Sequence, residues 1–152
     1  MTHEKQIHQT TVDLLVQMGL EAEVMVSFDT ASDMYQIQIN LADPALLIGY
    51  HGDTLASFQL ILAQHVKAAT EQWLNLAVNV NDYREKREDA IHQLTDNTVV
   101  AVQTTGKAHT LPPMPANERR VVHMHLSDHP DVTTESVGEG RTRSVIISPR
   151  VK

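Results

Sequence analysis

Apolar positions recur along this chain first at helical and then at strand spacing, and the change of period outlines its elements. Ile7, Val12, Leu15 and Val16 form a stripe that ends near Gly19, the mark of an amphipathic helix. Ala22, Val24, Val26 and Phe28 then alternate with other residues, as do Tyr35, Ile37 and Ile39. The polar stretch Thr30-Ala31-Ser32-Asp33 between them predicts an antiparallel hairpin. Asp43-Pro44 has the form of an N-cap followed by proline at the first helical position, opening a short helix from Pro44 to Ile48 that Gly49 stops. Asp53 is expected to cap the next helix, with Leu55, Phe58, Leu62 and Val66 on one face. Leu74, Leu76, Val78 and Val80 alternate with Asn75, Asn79 and Asn81, predicting a third strand with one wet face. Three strands backed by helices make a small α+β unit.

A second unit follows. Tyr83 to Thr105 reads as a long helix with Ile91, Leu94 and Val102 inward and Gly106 as its stop. His109-Thr110-Leu111 is a short strand before Pro112-Pro113, which permits neither helix nor central strand. A helix is expected from about Pro115 to Leu126. Val132 to Val137 and Thr142 to Ile147 then flank Gly138-Glu139-Gly140 as a hairpin. The junction at Asn81-Tyr83 is too short for a flexible linker, so the expected organisation is two α+β domains, 1–82 and 83–152.

Composition narrows the class. The chain has 152 residues, 41 % of them hydrophobic, enough for real cores. No apolar run approaches the roughly 18 residues of a membrane span, and the polar start Met1-Thr2-His3-Glu4-Lys5 is no secretory signal. Without cysteine there are no disulfides and no thiolate metal sites. A cytoplasmic protein is expected. The net charge of −7 argues against a general nucleic-acid binder, but the charge is unevenly placed. Residues 1–82 set two bases against ten acids, a balance of −8, whereas residues 83–152 set ten bases against nine acids, +1. Any attraction for a polyanion must come mostly from the second half.

Two short signatures carry chemistry. Leu47-Ile48-Gly49-Tyr50-His51-Gly52 holds a Gly-x-x-Gly turn after an apolar stretch, where missing side chains let a nucleic-acid backbone approach closely. Arg119-Arg120-Val121-Val122-His123 places a guanidinium and an imidazole four residues apart, side by side on a helix and suited to gripping a phosphate. Arg119 can present a bidentate fork, with Val122 and Leu126 fixing its helix from beneath. Arg120 points roughly 100° away, toward a neighbouring phosphate or solvent. Arg84 and Arg87 are i, i+3 neighbours that either join this patch or pair with Glu85 and Glu88. Arg141 and Arg143 would share a strand face. Either signature alone is weak; both in this order point to RNA.

Two helices around Gly-x-x-Gly, flanked by strands in this order, resemble a KH domain of the type II arrangement. In that family the loop clamps about four nucleotides of single-stranded RNA or DNA. Here the middle positions are Tyr50 and His51 rather than lysine or arginine. The loop is therefore either a contact relying on backbone, base stacking and partial histidine charge, or a plain connection in a KH-shaped scaffold. Arg119-x-x-x-His123 resembles the R3H motif. With the upstream helix starting Tyr83-Arg84-Glu85-Lys86-Arg87-Glu88, the proline-rich entry and the ending Arg143-Ser144-Val145-Ile146-Ile147-Ser148-Pro149-Arg150, it is similar to the C-terminal half of the Jag/KhpB family of bacterial KH–R3H proteins. The resemblance implies a type II-like KH domain followed by an R3H domain, in a short form without the family's N-terminal Jag domain and charged linker. It also implies a non-catalytic, post-transcriptional role, with single-stranded RNA or DNA as partner.

Other readings have less behind them. His123 and His125 diverge by about 200° on a helix and cannot share a metal, and no His-Glu-x-x-His, Walker-type or dinucleotide pattern occurs. No metal, cofactor or enzymatic activity is expected. The rival is an interaction scaffold in which the acidic first half pairs with another KH-domain protein or with itself.

Overall fold

The computed structural model describes residues 3–150, and they divide between Arg84 and Glu85 into two compact units. The first contains α1 (His3–Gln17), β1 (Glu23–Asp29), β2 (Met34–Asn40), α2 (Ala45–Ile48), α3 (Asp53–Thr70) and β3 (Leu76–Val80). Its sheet has the order β1-β2-β3, with β1 antiparallel and β3 parallel to β2. The parallel crossover from β2 to β3 is made by α2 and α3, as a parallel pair requires. Ile37 and Ile39 of β2, Val78 and Val80 of β3, Leu62 and Val66 of α3, and Ile7 and Leu15 of α1 are essentially sealed from water. These are the inward positions of period-2 strands and of the i, i+4 faces of two helices.

Polar side chains finish the sheet where the ladder ends. The Asn81 side chain accepts from the Leu41 N–H at 3.1 Å and donates to the Leu41 carbonyl at 2.9 Å, extending the β2–β3 pairing beyond the strands. On the outer edge of β3, the Gln59 amide from α3 donates to the Leu76 carbonyl and accepts from the Val78 N–H, both at 3.1 Å. Gln59 thereby satisfies an edge that a strand would otherwise complete.

Between α2 and α3 the chain turns through Gly49, Tyr50, His51 and Gly52. Gly49 sits at φ 70°, ψ −172°, a conformation open in practice only to glycine, and a Cβ there would land inside the Thr54 side chain. Gly52, at φ 82°, is the N-cap of α3. No side chain caps this helix, so Asp53 is its first residue rather than the expected cap.

The second unit holds α4 (Tyr83–Thr105) from Glu85 onward, β4 (His109–Thr110), α5 (Ala116–His125), β5 (Val132–Val137) and β6 (Ser144–Pro149). Its sheet is antiparallel in the order β4-β6-β5. Ile91, Val99 and Val102 of α4 meet Val122 and Leu126, Leu111 and Met114, and Val132, Val145 and Ile147 in one core. The hairpin closes differently from expectation: Gly140–Thr142 form a 3₁₀ turn, so Arg141 and Arg143 precede β6 and share no strand face. Several stripe residues also fall outside the cores. Val16 and Leu94 are exposed because the buried lines run through Thr11 in α1 and Thr95 in α4, and Phe28 of β1 is exposed as well. Each threonine hydroxyl donates to the carbonyl four residues back, at 2.7 Å, which lets it sit in a core. Among the described residues no helix is long and apolar enough to cross a membrane.

Two stability outcomes follow from these local constraints. Gly49→Ala is expected to lose about 1–3 kcal/mol from backbone strain alone, with more from the collision with Thr54, measured by urea unfolding. Gln59→Leu should cost about 1–3 kcal/mol by stranding two main-chain groups, and should accelerate hydrogen exchange at the Val78 amide.

Candidate nucleic-acid interface

α5 starts after Pro112-Pro113, with Pro115 as its extended N-cap. Glu118, Val122 and Leu126 recur every four residues and are all buried, so this line faces the core. The adjacent line, Arg119 and His123, is thereby turned toward β5. On β5, Val132, Thr134 and Ser136 lie on the same sheet face as the core residues Ile147 and Val145 of β6, which pair with Thr134 and Ser136. Only Val132 is buried, and the strand becomes polar and half-exposed where it passes Arg119 and His123.

The four side chains form a connected set. Arg119 donates from Nε to the Met114 carbonyl and from Nη1 to the Ser136 hydroxyl, both at 3.2 Å. His123 Nε2 lies 2.8 Å from the same Ser136 Oγ, and its Nδ1 lies 2.7 Å from Thr134 Oγ1. Each hydroxyl can donate or accept, so either neutral tautomer of His123 satisfies both ring nitrogens. The His123 pKa is lowered, first by burial and then by the neighbouring Arg119 charge. The resting set is therefore one permanent cation and one neutral imidazole converging on a single oxygen.

The remaining basic positions are distributed among other tasks. Arg87 grips the buried Glu118 with both ends of its fork, Nε to Oε1 at 2.7 Å and Nη2 to Oε2 at 2.9 Å. This acid comes from α5, a partner beyond the helix-surface neighbours Glu85 and Glu88. Arg84 belongs to the first unit, where its Nη2 donates to the Gln59 side-chain oxygen at 3.2 Å. Arg143 donates to the Gly138 carbonyl at 2.6 Å and closes the hairpin turn. Arg120 is exposed. In the first unit's Gly-x-x-Gly turn, Tyr50 is 74 % exposed with its ring edge-on to His51, centroids 4.2 Å apart. His51 occupies the left-handed region at φ 51°, and acidic Asp53 follows Gly52 directly.

Thr134, Ser136 and Glu118 did not stand out in the sequence. The signal for the first two was available: polar residues two apart on a strand whose other same-face residue is Val132. His125 turns away from His123, bonds Asp96 at 2.7 Å and stacks on His92. Among the described residues no group of three or more His, Asp or Glu is arranged to hold a metal ion.

Comparison with known proteins adds a family to this geometry. Residues 89–149 match the R3H domain model, which spans α5 and the β5–β6 hairpin. The chain is 35 % identical over 106 residues to the RNA-binding protein KhpB of Bacillus subtilis, covering 68 % of this chain and 51 % of that protein. It is 31 % identical over 134 residues to KhpB of Lactiplantibacillus plantarum, covering 88 % of this chain and 41 % of the relative. Against KhpB of Clostridium symbiosum the identity is 29 % over 131 residues, with 86 % and 59 % covered. The chain thus spans about half the length of these relatives. The resemblance read from Arg119-x-x-x-His123 and its surroundings is met by these matches: the chain carries an R3H domain and is a homologue of the Jag-family protein KhpB.

Proposed function

We propose that this protein binds single-stranded nucleic acid, RNA in particular, as a non-catalytic cytoplasmic regulator. The carrying observation is that Arg119 and His123 both point at the Ser136 oxygen from one half-exposed face. A guanidinium N–H and an imidazole nitrogen converging on one oxygen suit a phosphate oxygen that joins or replaces that hydroxyl, with His123 Nε2 donating once the ring is protonated. The relatives named as RNA-binding proteins support the same class of ligand. In this reading residues 83–152 act as an R3H domain and residues 1–82 as a type II-like KH domain. The helix–Gly-x-x-Gly–helix order, with β3 parallel to β2, supports the KH assignment.

The basic contribution is small, so affinity is modest and depends on few phosphates. Arg119 and His123 form the first contact, with exposed Arg120 beside them. Arg87 and Arg143 work mainly through α5 and the hairpin, and Arg84 through Gln59. The Gly49–Gly52 loop guides the strand through Tyr50 stacking and main-chain contacts. Acidic Asp53 and the absence of Lys or Arg keep that second contact weak.

Binding of a short single-stranded RNA tests this directly. The Arg119→Ala, His123→Ala double variant is expected to lose roughly 10- to 100-fold in affinity and to flatten the salt dependence by about one to two phosphate equivalents. Unchanged affinity and slope would remove the proposal. The second test is pH. His123 is held below its ordinary pKa when free, and a bound phosphate raises it, so binding takes up a proton. Affinity should therefore increase as pH falls through the region just below 6.5. The part contributed by His123 should vanish in His123→Gln, measured as the difference between the two titrations. In the free protein the same lowered pKa has the opposite consequence: His123 contributes stability that is full above pH 6.5 and declines as pH falls toward its folded value.

A further inference from the structure

The two edges of the first unit's sheet are finished differently. Gln59 closes the outer edge of β3 by bonding the main chain at Leu76 and Val78. β1 pairs with β2 alone, and among the described residues neither a side chain nor backbone outside that ladder bonds its main chain. Its register runs unbroken from Glu23 opposite Asn40 to Asp29 opposite Met34. The strand contains no proline, no lysine and no bulge, the devices that usually blunt such an edge. Four of its residues, Glu23, Met25, Ser27 and Phe28, are exposed.

A groove accompanies this edge. An open space of about 480 Å³ is lined by Glu4, Lys5, His8 and Gln9 of α1 and by Val26 of β1. A helix beside an unpaired strand is the geometry by which an extended peptide is taken up as an added strand: main-chain bonds hold it, and the groove receives alternate side chains.

Charge decides the occupant. Glu23 and Asp29 stand at the two ends of β1. The Ser32 hydroxyl and the Ala31 N–H hold the Asp29 carboxyl below the usual carboxylate range, so that end stays negative. Symmetric antiparallel pairing of two copies, centred on Val26, would set Glu23 against Asp29 at both ends, and like charges directly opposite are destabilising. A strand with basic ends turns both repulsions into attractions, and the −8 balance of residues 1–82 adds long-range steering.

We propose that the β1 edge and the α1 groove bind an extended segment of a partner protein, carrying Lys or Arg near both ends, as a fourth strand of the first sheet.

The test uses the full chain and the synthetic peptide acetyl-Lys-Val-Ser-Val-Ser-Val-Lys-amide, titrated to millimolar concentration and followed by NMR and amide hydrogen exchange. Saturable binding is expected, with amides within 23–29 slowed. Glu23→Lys and Met25→Lys each place lysine on an exposed edge position and should weaken binding by about tenfold or more, with melting curves confirming that they fold. The Arg119→Ala, His123→Ala variant should bind the peptide normally, separating this surface from the nucleic-acid face. The proposal is overturned by no binding at millimolar peptide, by protection elsewhere, or by indifference to both lysine substitutions. It is equally overturned if a single-stranded RNA oligonucleotide protects β1, or if the chain alone forms a dimer that Met25→Lys dissociates.

Discussion

The clamp between Arg87 and Glu118 governs how the second unit presents its chemistry. Glu118 is 4 % exposed, and an ionised carboxylate at that depth is tolerable only with a partner that satisfies it. Arg87 does so through two parallel bonds, a fork-to-fork contact that fixes orientation as well as distance. With Glu118 pinned inward against α4, and Val122 and Leu126 on the same line, the rotation of α5 about its axis is set. Arg119 and His123 can then face only β5. Removing one member of such a pair is far costlier than the pair's net contribution, typically by about 3–5 kcal/mol. The clamp therefore acts on geometry more than on total stability.

That geometry shapes the electrostatics of the proposed interface. The Ser136 hydroxyl occupies the point where the guanidinium and the imidazole converge, and Thr134 satisfies the far ring nitrogen. In the absence of a ligand the set is internally bonded, and partial burial together with Arg119 keeps His123 below its usual pKa. An arriving phosphate supplies a better acceptor and the counter-charge that a protonated imidazole requires. In the proposed binding mode, recognition and proton uptake are one event. This suits a chain with little positive charge to spare, since the second cation is generated on contact.

The first unit solves a different problem with the same economy. Its turn between α2 and α3 depends on Gly49 in a conformation denied to other residues, so its path is set by backbone geometry without Lys or Arg. Its sheet is closed at β3 by a single glutamine and left open at β1. The acidic balance of residues 1–82 repels polyanions from most of this surface and favours cationic partners. The main proposed RNA contact, at Arg119 and His123, and the proposed strand uptake at β1 therefore do not depend on the same electrostatic character.

Period, punctuation and local spacing made much of this legible in advance. The strands at 24–28 and 35–39, the glycine turn, the long α4 and the pairing of Arg119 with His123 on one helical line all follow from interactions between residues close in sequence. The one-residue drift of the buried lines onto Thr11 and Thr95 does not, because a threonine enters a core only once its hydroxyl finds a carbonyl within the finished helix. Nor could spacing reveal that Arg87 is bound to Glu118, that Ser136 lies beneath both site residues, or that Gln59 seals one sheet edge. Those contacts join residues between 13 and 31 positions apart. By itself, then, the sequence determined which residues lie on common helix and strand faces, since backbone geometry dictates that. Only the tertiary structure decided which charges are consumed internally and which remain for a ligand, because that depends on where separate faces meet.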